Sequence, residues 1–216
     1  GGKNSTVEEL QAYMDGYLEE LQKRGCNKGI SKISVQTGTT HGGVPLADGT
    51  VAKVKIDFDV LAKLSEMARQ RYGLAGAVQH GASTLPDEAF NRFPATGTAE
   101  IHLATGFQNM IYDSKGFPAP LRARIYDHLK AELRGEWKEK DTEEQFIYKT
   151  RKKGFGPFKL ELWNLPADVL DEICAELEGK FAFLFDKLKV NGTRAVLDQF
   201  VKSVDVPMKT PLGPKG

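Results

Sequence analysis

Apolar residues recur every three or four positions from Val7 to Arg24, at Leu10, Met14, Tyr17, Leu18 and Leu21. That spacing predicts an amphipathic helix, which Gly25 then stops. Ser5 or Thr6 can cap it, and Ser5 with Glu8 has the spacing of a capping box. A short β-prone run, Lys32 to Val35, follows and leads into Gln-Thr-Gly-Thr-Thr-His-Gly-Gly. Residues 44 to 57 read as an irregular loop with Pro45, Asp48 and Gly49. Asp59 is placed to cap a helix from Val60 to Tyr72 that buries Leu61, Leu64 and Met67 or Ala68, with Gly73 ending it. A second strand is expected over Gly76 to Gln79, a helix near Asp87 to Phe93, and a third strand over Glu100 to Ala104 with a helix behind it.

Helix and strand therefore alternate from residue 7 to about 112. This order favours a parallel sheet with right-handed crossovers. Beyond 113 the pattern is helical and charged, with helices expected over Leu121 to Arg134, Thr142 to Lys152, Ala167 to Leu188 and Thr193 to Ser203. The division read from this change is residues 1 to 112 and 113 to 216. Lys209 to Gly216 is a Pro/Gly/Lys tail with little to bury.

Composition narrows the function classes. The 216 residues are 40% hydrophobic and 27% charged, as in ordinary globular proteins, and the net charge is +1. That balance gives no electrostatic reason to expect nucleic acid or an anionic membrane as partner. No apolar run is long enough to cross a bilayer, and the opening Gly-Gly-Lys-Asn-Ser-Thr has no signal-peptide core. Cys26 and Cys174 form no Cys-x-x-Cys pair, so two reduced thiols and a cytoplasmic protein are expected.

The four histidines are His41, His80, His102 and His128. A single histidine is most often a satisfied polar residue. Here His41 and His80 each follow an expected strand and each precede a glycine, while His102 falls inside the third strand. Imidazoles at the carboxyl ends of neighbouring parallel strands can converge on one ion, and neutral imidazole is a good zinc ligand. Gly42, Gly43 and Gly81 leave backbone amides open to an anion, and Ser83 adds a hydroxyl. The spacing points to a metal-plus-phosphate site at the end of a sheet where barrels of this order place their chemistry.

Three segments carry a family resemblance. Gly38-Thr39-Thr40-His41-Gly42 resembles the Gly-Thr-x-His-Gly segment of class II, zinc-dependent fructose- and tagatose-bisphosphate aldolases. Val78-Gln79-His80-Gly81-Ala82-Ser83 resembles their His-Gly-Gly/Ala-Ser segment, and Glu100-Ile101-His102-Leu103-Ala104-Thr105 their last-strand Lys-Ile-Asn-Val-Ala/Asp-Thr. The three occur in family order over roughly residues 1 to 112. The resemblance implies the C-terminal part of a (β/α)8 TIM barrel, about three strands, followed by a helical extension.

It also implies a function: reversible, zinc-dependent aldol cleavage of a ketose 1,6-bisphosphate, fructose 1,6-bisphosphate first, to dihydroxyacetone phosphate and glyceraldehyde 3-phosphate. By the same resemblance His41 and His80 would ligate Zn2+. Gly42, Gly81, Ser83 and Thr105 would hold the phosphate, and Gly38 a monovalent cation. His102 stands where the family has an Asn that orients substrate. The family's third histidine ligand, catalytic Asp and strand-five Glu would come from upstream barrel residues. The expected partners are thus a sugar phosphate, the N-terminal half of the same barrel on the same or a second polypeptide, and further copies in a homo-oligomer. A fragment, a split barrel and a half-barrel with another job all remain open. The alternative function is a non-catalytic half-barrel that binds a sugar phosphate or a partner.

Two further expectations concern the extension. Phe155, Phe158, Leu162 and Trp163 should dock on the barrel or a sister subunit. Arg151-Lys152-Lys153 reads as a solvated helix end.

Overall fold

The computed structural model describes residues 3–40, 42–47, 50–52 and 55–207. Three short strands, β1 (Ile33–Val35), β2 (Ala77–Gln79) and β3 (Glu100–Ile101), form a parallel sheet in the order β1-β2-β3. Ile33 pairs with Ala77 and Val78 with Glu100, so the carboxyl ends of all three strands point the same way. Helices α1 (Val7–Lys23) and α2 (Phe58–Tyr72) precede β1 and β2, and α3 (Thr105–Asp113) follows β3. This is the repeating strand-and-helix unit of a (β/α)8 barrel, three strands of it, extended by helices α4 (Ala119–Glu132), α5 (Glu143–Thr150), α6 (Lys159–Trp163), α7 (Ala167–Lys187) and α8 (Arg194–Phe200).

Alternation along the strands separates two faces. Ile33, Val35, Ala77, Ile101 and Leu103 pack against the helices, where Leu61, Leu64, Phe90 and Phe93 are buried. Truncating a fully enclosed side chain such as Leu61 to Ala would cost about 2–5 kcal/mol. A second core, Tyr112, Phe117, Leu121, Ile125, Leu129, Phe146, Ile147 and Ile173, lies among α3, α4, α5 and α7. Helix α7 serves both cores: Val169, Ile173 and Leu177 face the second, and Phe183 and Leu184 the first.

Several element ends differ from the sequence expectation, each for a local reason. Helix α1 is capped by Thr6 and Glu9, because Ser5 exchanges hydrogen bonds with Gln36 at the end of β1. Helix α2 begins two residues early: Asp57 accepts from Val60 N at 3.0 Å and also takes the Asn4 amide, leaving Asp59 inside the first turn. Residues Asp87–Arg92, enclosed by Pro86 and Pro94, wind as a 3-10 helix. Strand β3 stops at Ile101, so His102 lies just past its end and keeps one ladder bond, His102 N to Gln79 O at 2.9 Å.

Helix α5 ends at Thr150, whose hydroxyl donates back to Phe146 O at 2.7 Å, and the chain tightens into a 3-10 turn over Arg151–Phe155. Phe155, Phe158 and Leu162 dock on the second core of their own chain, while Trp163 remains 68% exposed. Cys26 and Cys174 are both unbonded and exposed. No helix among the described residues is long and apolar enough to cross a membrane.

Candidate functional site

The loops that leave β1 and β2 are tied together by a buried polar network. Thr37 Oγ1 donates to Gln79 Oε1 at 2.7 Å, Gln79 Nε2 donates to Thr39 Oγ1 at 2.9 Å, and Thr39 Oγ1 donates to His80 O at 2.8 Å. Thr37 and Gln79 are fully enclosed. A buried network with every member paired fixes one geometry, because any other leaves an orphaned polar group. The result is that the Gly38–Thr40 segment and His80 hold one position relative to each other.

Gly81 is required at the next step. Its φ is +69°, and a Cβ there would lie 2.9 Å from Thr39 Oγ1 and 3.2 Å from the Thr40 carbonyl carbon. Any larger residue would push the two loops apart.

The sheet face away from the helices is polar at the carboxyl end. His80 and His102 stack with ring centroids 4.2 Å apart and 28° between planes. His102 Nε2 hydrogen-bonds Glu100, and Glu100 also takes Lys32. The Lys32 bond, then the His102 bond, hold the Glu100 carboxyl below the usual carboxylate range. His80 lines an open hollow with Ser5, Ser34, Val35, Gln36 and Thr39.

A second depression, of about 130 Å³, lies at the start of α3. Helix α3 has no side-chain N-cap, so its first amides are available to an acceptor. Ser83 Oγ accepts from Ala104 N at 3.0 Å, which seats the Ser83 loop on that helix end. Gly42 lies across from Thr105: a Cβ on it would be 3.7 Å from Thr105 Oγ1. The structure thus brings Gly42 and Thr105 to this depression, with Ser83 bonded beside it at Ala104, while Gly81 packs against Thr39. Gly38 stands apart, packed against Asn4 and the Lys55 carbonyl.

The far wall of this depression comes from the helical extension: Tyr148, Lys149, Arg151 and Lys152. Tyr148 donates its hydroxyl to Gly42 O at 2.8 Å, and Gln145 Nε2 donates to Pro45 O at 2.8 Å, so α5 is bonded to the Gly42 loop. Arg151 is 8% exposed and forks onto Asp113 at 2.6 and 3.0 Å while Nε donates to Asn109. Burial works against its charge, but the Asp113 carboxylate more than offsets this and the guanidinium pKa is raised. The Arg151-Lys152-Lys153 run is therefore not a solvated helix end as expected: Arg151 is built into the fold and Lys152 borders the depression.

The model of the class II fructose-bisphosphate aldolases matches residues 4–153, more than two thirds of the chain. The chain belongs to the class II fructose-bisphosphate aldolase family. The family match runs past residue 112 through α5 to Lys153, so it includes the cationic wall of the depression. No curated protein matches the chain. One solved structure similar to it is described as a probable tagatose 6 phosphate kinase from Sinorhizobium meliloti 1021, at 19% identity and a TM-score of 0.47. The likeness covers 91% of this chain and 54% of that one, so the chain spans about half the length of the relative. At that level it assigns neither substrate nor reaction.

Family membership raises the question of zinc, which takes three or four nitrogen, sulfur or oxygen ligands. Among the described residues no three His, Cys, Asp or Glu side chains are grouped to hold an ion. The proposed ligand His41 lies outside the described residues. Of the two proposed zinc ligands the described residues include His80.

The residues that sequence reading missed are Gln79, Tyr148, Arg151 and Lys152. Gln79 had one available signal, a large amide in an otherwise apolar strand. The others are more than forty residues from the motifs they meet, and only the fold brings them there.

Proposed function

We propose that this chain is the phosphate-binding, carboxyl-terminal part of a zinc-dependent class II aldolase. The reaction is reversible aldol cleavage of a ketose 1,6-bisphosphate, with fructose 1,6-bisphosphate as first choice and dihydroxyacetone phosphate and glyceraldehyde 3-phosphate as products. The observation that carries this reading is the convergence of the Gly42 loop and the open N-terminus of α3 on one depression, with Ser83 bonded to Ala104 beside it, within the stretch matched by the family. Backbone amides at a helix start, glycine approach and nearby cations are what a phosphate dianion needs.

In this proposal Gly42, Gly81, Ser83 and Thr105 form the phosphate cradle, with Lys152 supplying positive charge at its wall. Anchoring the phosphate, remote from the bond that breaks, fixes where the ketone sits. His102, beside His80, orients the substrate's oxygens. His41 and His80 are the zinc ligands this chain contributes. The other ligand, the catalytic Asp and the strand-five Glu come from barrel residues outside these three strands. Bound zinc supplies Lewis-acid stabilisation of the oxyanion formed on cleavage. Gly38 is retained as the monovalent-cation position. Residues 1 to 112 are the barrel part and 113 to 216 the extension, in a cytoplasmic homo-oligomer whose barrel is completed by the N-terminal half.

A second reading, a non-catalytic half-barrel that binds a sugar phosphate or a partner, is favoured by one observation: His102 stands where the family segment it resembles has Asn. One experiment separates the two. The full-length protein is assayed for cleavage of fructose 1,6-bisphosphate with and without a chelator, alongside calorimetric binding of dihydroxyacetone phosphate. Cleavage that stops on chelation and returns with zinc, and is lost in His80→Ala, supports the aldolase. Phosphate-ligand binding without turnover of fructose or tagatose 1,6-bisphosphate supports the binding module. Absence of both rejects the site.

A further inference from the structure

The inner face of a (β/α)8 barrel is ordinarily filled by layers of branched apolar side chains. Here the same face carries a charged chain of contacts across all three strands. Lys32, one residue before β1, bonds Glu100 at the start of β3. Glu100 bonds His102 two residues on, and His102 stacks on His80 beyond β2. The alternation of strand faces explains the geometry. Glu100 and His102 share a face, and the register of Val78 with Glu100 puts His80 level with His102. Their neighbours Ile101 and Leu103 face the helix-packed core, so neither group can turn that way.

We propose that Glu100 is a positioning residue for the substrate-orienting His102. It holds the ring by Nε2 against His80, leaving Nδ1 as the atom turned to a ligand. A neutral imidazole has one N–H and one lone pair, and which nitrogen carries the proton is set by the bond the other end makes. A carboxylate accepts only, so it draws the N–H to Nε2 and leaves a lone pair on Nδ1. Nδ1 then accepts from a hydroxyl of the ligand. Lys32 anchors Glu100 from the opposite strand, which keeps the carboxylate from swinging out. The pair is distinctive of this sequence, because the family segment it resembles has Lys and Asn at these two places. The proposal rests on the aldolase reading for its substrate, but its ring geometry does not.

The test uses the full-length protein with 15N-labelled histidine and the variants Glu100→Ala, Glu100→Gln, His102→Asn and Glu100→Ala/His102→Asn. Long-range 1H–15N spectra at pH 8 should show His102 protonated on Nε2 in the wild type and in Glu100→Gln, whose amide oxygen still accepts. In Glu100→Ala the two tautomers should mix. Glu100→Ala should lower kcat for the cleaved bisphosphate by roughly ten- to a hundred-fold, with KM little changed because phosphate anchoring is intact. In the His102→Asn background the same change should have almost no further effect.

An unchanged tautomer in Glu100→Ala, or an equal loss in both backgrounds, would overturn the proposal. The second result would mean that Glu100 only braces the sheet through Lys32. If the wild type cleaves no bisphosphate, the aldolase reading fails and the tautomer spectra alone decide the role of Glu100.

Discussion

Gln79 and Thr39 are joined by a hydrogen bond of 2.9 Å from the Gln79 amide to the threonine hydroxyl, in a place closed to water. That bond locks the two loops on which the family's histidine-glycine pairs stand. Its neighbours leave no slack, since Thr37 and the His80 carbonyl complete the network on either side.

Gln79→Leu is therefore expected to destabilise the protein although it adds apolar volume to a buried strand. It removes the acceptor of the buried Thr37 hydroxyl, at about 1–3 kcal/mol for the unsatisfied group, and one of the two bonds of Thr39 Oγ1. Urea unfolding should report the loss, and a stability equal to wild type would show that the network does not set the loop geometry.

Lys152 and Arg151 are adjacent but should respond differently. Lys152 is exposed at the depression and no ion pair engages it among the described residues, so Lys152→Ala should leave the unfolding midpoint unchanged. It should weaken binding of a sugar phosphate by about 1 kcal/mol, roughly fivefold. Arg151 braces Asp113 and Asn109, so Arg151→Ala should lower stability by about 1–3 kcal/mol before any effect on ligand is considered. Calorimetric titration with dihydroxyacetone phosphate, run beside thermal melts, measures both.

Tyr148 ties the extension to the Gly42 carbonyl. Tyr148→Phe keeps the ring and removes the bond, at a cost of about 1 kcal/mol. If the extension shapes the phosphate loop, ligand affinity falls as well; unchanged affinity would confine Tyr148 to packing.

Tyr112 is fully buried, its hydroxyl has no hydrogen-bond partner, and burial, then Tyr126, pushes its pKa up to about 12. A folded-state pKa raised above the unfolded value of about 10 means that the native state holds the proton more tightly. The stability this contributes is complete below pH 10 and is lost as pH rises toward 12. Tyr112→Phe should thus be neutral or stabilising at pH 8, and its melting temperature should fall less than that of wild type between pH 10 and 12.

Gly154 is packed where a Cβ would fall 2.5 Å from Ile125 Cγ2 and 2.8 Å from the Tyr112 hydroxyl. Gly154→Ala is expected to cost about 1–3 kcal/mol by overpacking. A melt unchanged from wild type would show that the second core relaxes more easily than its burial implies.

Much of this architecture was legible in the residue pattern. The three-to-four spacing of Leu10, Met14 and Leu21 fixed α1, and Leu61, Leu64 and Ala68 fixed the buried side of α2, because helix periodicity is a local property of the chain. The His80-Gly81 motif marked the end of β2, since glycine is demanded there by backbone geometry, whereas His41 lies outside the described residues. What the pattern left undecided were choices between near-equal local options. Thr6 rather than Ser5 caps α1 because Gln36, distant in sequence, engages Ser5, and Asp57 rather than Asp59 caps α2, where Asn4 also holds its carboxylate.

The sequence by itself determined the element order, the parallel sheet and the family-like loops. Only the tertiary structure decided that α5 closes over the Gly42 loop, that Arg151 is buried against Asp113, and that Glu100 grips His102 across from Lys32. The bonds of Tyr148 to Gly42, Arg151 to Asp113 and Lys32 to Glu100 join residues 106, 38 and 68 positions apart. No local propensity encodes them; they exist because burying two apolar cores brings one side of α5 onto the end of the sheet.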